Sequence, residues 1–187
     1  MEDIKIANFD DEDIKIAGSI STKRSAEDEV KDTFDELIKA KNDGNLNAIT
    51  ELGIKTARYI MPGEHSFVTE TNDRGYGLQK RWLCIFAAMI GFERATPSSL
   101  LAKAAFNTMY QTLEKEFPEI FVGSGYSTAM SFYYLAVRSS FKVEEEIGDT
   151  FAMLCGKGTD KQVANEGKDL FVRFVEFVES EVEAILR

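Results

Sequence analysis

The sequence predicts an all-α protein: a single-domain bundle of six or seven helices around a central apolar helix, preceded by an extended N-terminal arm. Three observations carry this reading. From about residue 21 onward, apolar residues recur at three- and four-residue spacing, the period of a helix with a buried face. The 187-residue chain has only three prolines, Pro62, Pro97 and Pro118, each at the edge of a periodic segment. One segment, residues 78–95 (LQKRWLCIFAAMIGFERA), is apolar around its whole circumference, as a helix enclosed on all sides must be. A chain of this length buries one core well and two cores poorly, so residues 21–187 read as one helical domain and residues 1–20 as the arm.

The elements follow in order. Ser25 is the expected cap of a first helix whose stripe is Val30, Phe34, Leu37 and Ile38, and Gly44 ends it. A second helix, about Leu46 to Met61, presents Ile49, Leu52, Ala57 and Ile60 and stops before Pro62. The short link between these two predicts an antiparallel pair. A polar loop, PGEHSFVTETNDRGYG, leads into the central helix. Thr96 and Pro97 have the cap-and-first-turn chemistry that starts a fourth helix, expected to reach Phe117. The fifth, YSTAMSFYYLAVRSS, contains no acidic residue. The sixth, VEEEIGDTFAMLC, ends at Gly156, and the seventh starts from a Thr159 or Asp160 cap. That last helix carries Phe171, Phe174, Val175, Val178, Val182 and Ile185 in one stripe, with Val172 and Phe177 off it.

The arm follows different rules. Glu2 to Ala7 recurs letter for letter as Glu12 to Ala17, so Ile4, Ile6, Ile14 and Ile16 alternate with Lys5 and Lys15 at a strand period. Folding the two halves into a hairpin sets Lys5 against Lys15, an unfavourable pair. No Asn-Gly type turn separates them either. The expectation is an extended arm that rests its isoleucines on a helical body, its own or a neighbour's.

Composition narrows the function. A net charge of −10 disfavours tracking of nucleic-acid phosphates and adsorption to anionic membranes. The longest apolar run, Trp82 to Phe92, is too short to span a bilayer. The first residues are acidic and lack the apolar core of a signal peptide, so a cytoplasmic protein is expected. Cys84 and Cys155 sit in apolar helical contexts and read as free, buried thiols.

Several stretches imitate chemical motifs and fail on spacing. DGNLN lacks the glycine and terminal glutamate of a calcium loop, and GKGTDK lacks the leading glycine of a phosphate loop. GSGYS precedes a helix but follows no strand, so it reads as a turn. One histidine, His65, excludes histidine-rich zinc sites. The loop that holds His65 also supplies Arg74 and Tyr76, and with Lys80 and Arg81 these would line a cleft for an anionic ligand. A small-molecule bundle would have Arg74, Arg81 and Tyr126 near its mouth.

The stretch EEIGDTFAML, residues 145–154, places Glu145, Glu146 and Asp149 on one helix face. It resembles the second metal-binding motif of the all-α nucleoside triphosphate pyrophosphohydrolases of the MazG type. The resemblance implies that Glu146 and Asp149 are Mg²⁺ ligands in a metal-dependent hydrolase, with Glu145 beside them. The leading expectation is different: a non-catalytic module that binds a protein partner or itself and needs no cofactor. Its expected contacts are Ile4, Ile6, Ile14 and Ile16 of the arm, with Phe171, Phe174, Phe177 and Val178 of the last helix.

Overall fold

The structure is a computed structural model, and it describes residues 26–139 and 141–186. The arm and its four isoleucines lie outside these residues. Seven α-helices are described: α1 (Ala26–Asn42), α2 (Asn45–Ile60), α3 (Arg74–Ala95), α4 (Ser99–Glu116), α5 (Gly125–Ser139), α6 (Val143–Leu154) and α7 (Lys161–Leu186). A short 3-10 turn, Pro118–Phe121, separates α4 from α5. The all-α bundle expected from the periodicity is what the chain forms.

α3 runs through the centre, as its all-round apolar character requires. Every residue from Lys80 to Met89 is buried, and so are Gly91 and Phe92. α7 lies along it, with Phe171, Phe174, Val175, Val178 and Val182 turned inward. α6 folds back on α7, and α2 packs mainly along α4. Both seams are close because a glycine sits in each. A Cβ at Gly53 of α2 would overlap the Ala105 carbonyl of α4, and one at Gly148 of α6 would overlap the Ala164 carbonyl of α7. Such crossings admit no side chain.

Side-chain caps set the starts of α3, α4 and α7, and two of these differ from expectation. Asp73 accepts a hydrogen bond from the Tyr76 amide at 3.0 Å, so α3 begins at Arg74, a full turn before Leu78. The glycines at 75 and 77 disguise that turn as loop. The start of α4 is also displaced. Ser98 is its cap, accepting from the Leu101 amide at 3.3 Å. Thr96 instead closes α3, donating its hydroxyl to the Phe92 carbonyl at 2.7 Å. The proline that follows forces Thr96 to be extended, which ends one helix without starting the next. The Asp160 cap of α7 stands as expected, accepting from the Gln162 and Val163 amides.

α1 is the largest departure in packing. Of residues 31–42 only Ala40 is buried, while Phe34, Leu37 and Ile38 of the expected buried stripe are exposed. α1 does contact α2, but α2 spends its apolar face on α4, and α1 is left at the edge. The 62–73 segment is less polar in practice than in sequence. Val68 is buried, and the Phe67 ring meets Phe174 edge-on at 4.9 Å.

Candidate functional site

The residues expected to bind an anion divide into four places. Arg74 and Arg81 share a face of α3 two turns apart and both border one cleft of about 230 Å³. Arg81 is buried there, donating to the Ile60 carbonyl at 2.8 Å and to Glu70 at 2.7 Å. Arg74 is exposed and pairs loosely with Glu119 at 3.6 Å. Tyr76 points elsewhere, donating its hydroxyl to Glu166 of α7 at 2.6 Å. Tyr126 packs with Tyr110 and Phe121 in an aromatic cluster, and burial pushes its hydroxyl up to about 12. His65 is exposed on the loop and does not border the arginine cleft.

The acidic start of α6 is built for ion pairing. Glu145 accepts from Lys168 at 3.2 Å, and its own backbone amide and Lys168 hold its carboxyl below the usual range. Asp149 borders the same shallow depression, but so do Lys161 and Lys168. Glu146 is exposed and does not border that depression. Among the described residues no three His, Cys, Asp or Glu side chains converge. A carboxylate pair balanced by two ammonium groups is a poor fit for a divalent cation. The glycine of EEIGD, Gly148, is the contact point of α6 on α7.

The expected contacts on α7 face the chain's own core. Phe171, Phe174 and Val178 are buried, and Phe177 is partly covered by Tyr59 and Phe67. Of these four side chains, Phe177 alone keeps an edge open to solvent.

Besides the exposed stripe of α1, a second apolar surface lies open on α5. Its inner face, Ala129, Tyr133 and Ala136, is buried on α3. Trp82 anchors its start: the indole lies over Gly125, and its N–H donates to the Ile120 carbonyl at 2.7 Å. On the outer face, Phe132 is 40% exposed, Tyr134 48% and Leu135 61%. Tyr134 also walls a cleft of about 480 Å³ between α3, α4 and α5, floored by Met89, Ala102 and Phe106 and edged by Glu93 and Lys103. Sequence periodicity missed this face, because Phe132, Tyr134 and Leu135 flank the exposed Ser127, Ser131 and Arg138 within one apolar run, and only packing decides which of them are covered. The available signal was the missing acid.

The inner face holds an anomaly. The Tyr133 hydroxyl is buried with no hydrogen-bond partner among the described residues. Removing it costs nothing that the fold uses, so Tyr133→Phe is expected to be neutral or stabilising by up to about 1 kcal/mol in urea unfolding.

No helix among the described residues is long and apolar enough to cross a membrane. Family models, curated proteins and solved structures were all compared with this chain, and none matches it.

Proposed function

We propose that this protein is a non-catalytic module that associates with a second copy of itself through the outer face of α5. The observation that carries the reading is that this face exposes large apolar side chains and bears no acid, its one charge being Arg138 in the last turn. Of the seven helices described, α5 alone has no Asp or Glu. Two chains of net charge −10 repel one another wherever carboxylates meet, so a copy approaches at least cost along the acid-free strip. Phe132, Tyr134 and Leu135 supply the aromatic and aliphatic anchors typical of interface centres. Burying such a strip against itself is the isologous arrangement of a two-fold dimer. Two unpaired thiols, one buried and one partly so, suit a reducing cytoplasmic setting.

Cross-linking tests the geometry. A cysteine at Ser131, at the middle of the outer face, is expected to give a covalent dimer with a short bis-maleimide. One at Ser180, exposed on α7, is expected to give none. Cys84 is buried, and the half-exposed Cys155 is replaced by serine in both variants so that only the introduced thiol reacts. Equal cross-linking at both positions, or at neither, contradicts the proposal.

A further inference from the structure

We infer that the cleft holding Arg74 and Arg81 is a binding site for a small free amino acid with an apolar side chain. This inference is independent of the α5 contact. Arg81 is a guanidinium with a side chain only 5% exposed, yet its outward nitrogen is satisfied by Glu70, a carboxylate 66% exposed at the rim. Its other nitrogen is fixed inside by the Ile60 carbonyl and, at 3.4 Å, by Ser66. The inner bonds hold the group in place, and the outer one is exchangeable with water or with another carboxylate. The second pair, Arg74 with Glu119, is looser still at 3.6 Å with Arg74 79% exposed.

Charge balance selects the ligand class. Two arginines and two glutamates border the cleft, so its local charge is zero on a chain of net −10. A simple anion gains the arginines but faces both glutamates and the field of the whole molecule. A zwitterion uses both signs. Its carboxylate replaces Glu70 on Arg81, or Glu119 on Arg74, and its ammonium is taken by the released glutamate. Pro62, Leu78 and Phe117 give the same cleft an apolar lining, which calls for a hydrocarbon side chain on the ligand. The volume of about 230 Å³ is below that of a drug-sized pocket and suits a single amino acid.

The test is an amide-resolved NMR titration of the full chain with leucine and three truncated forms of it. These are 4-methylpentanoate, 3-methylbutylamine and glycine, which lack the ammonium, the carboxylate and the side chain respectively. Leucine is expected to give saturable shifts centred on Gly77 and Leu78, and each truncated form to bind about tenfold more weakly or worse. Arg74→Gln and Glu119→Gln alter exposed side chains that the fold does not need, and each is expected to weaken leucine about tenfold. Absence of saturable shifts with leucine overturns the inference. So does 4-methylpentanoate binding as well as leucine, which marks a plain anion site. Unchanged leucine affinity in both variants overturns it as well.

Discussion

Replacing Gly148 by valine is expected to cost about 3 kcal/mol of stability. Removing the neighbouring carboxylate in Asp149→Ala is expected to cost less than about 0.5 kcal/mol. The asymmetry follows from where the two residues face. A Cβ at Gly148 runs into the Ala164 carbonyl and the Lys168 Cβ, and a carbonyl held within the first turn of α7 cannot rotate away. A valine therefore pushes α6 off α7 along the seam that also holds Phe151 against Gly167. Asp149 is exposed and has no such constraint. Denaturant unfolding of the two variants beside wild type measures both effects. A large loss in Asp149→Ala with a mild one in Gly148→Val would mean that EEIGD is kept for its charges. The opposite pattern means that it is kept for a helix crossing.

The second large effect concerns the cluster that ties the start of α3 to α7. Glu166 accepts from Lys80 at 2.5 Å and from the Tyr76 hydroxyl at 2.6 Å. The Lys80 side chain is only 11% exposed and its ammonium lies 4.7 Å from the centre of the Tyr76 ring. Glu166→Ala leaves that ammonium without its counter-charge. The expected loss is about 2–3 kcal/mol, below the figure for a fully buried pair because Glu166 is itself 42% exposed. The loss also has a pH signature. Burial alone pushes the Glu166 carboxyl up, but the hydrogen bonds from Lys80 and Tyr76 together hold it below its ordinary 4.5. A carboxyl lowered in the folded state contributes stability above its unfolded value and loses it as the pH falls through the folded one. Wild type and Glu166→Ala are thus expected to differ fully above about pH 4.5 and to converge below it. A gap that persists in acid would assign the loss to packing.

Legibility in the sequence tracked how far each element's environment is written in its own residues. α3 could be placed at the centre because no face of it tolerates water. α7 showed its stripe, and the stripe is buried as drawn from Phe171 to Val182, with Ile185 half-buried at the end. What the stripe covers, core or partner, depends on α2 and the 62–73 segment, which a helical period does not encode. α1 shows the same limit in reverse: Phe34, Leu37 and Ile38 make a clean stripe, but α2 already uses its apolar face on α4. At the site level, Arg74 and Arg81 were readable as a pair because they are seven residues apart on one helix. Tyr76 was misassigned to them because its partner, Glu166, lies ninety residues away. Lys80 and Glu166 were invisible as a unit for the same reason. The α5 face was half legible, its missing acid plain in the sequence and its exposed side settled only by packing.

The central claim is that two copies meet along α5, and sedimentation velocity over a concentration series tests it most directly. Wild type is expected to move toward twice the chain mass as concentration rises, and more readily in salt that screens the repulsion between the two acidic chains. Leu135→Glu puts a carboxylate at the centre of the strip, and it is expected to stay at the mass of one chain throughout, with unfolding unchanged because the side chain is exposed. A wild type that stays monomeric at every concentration, or a Leu135→Glu variant that dimerises as wild type does, would contradict the account.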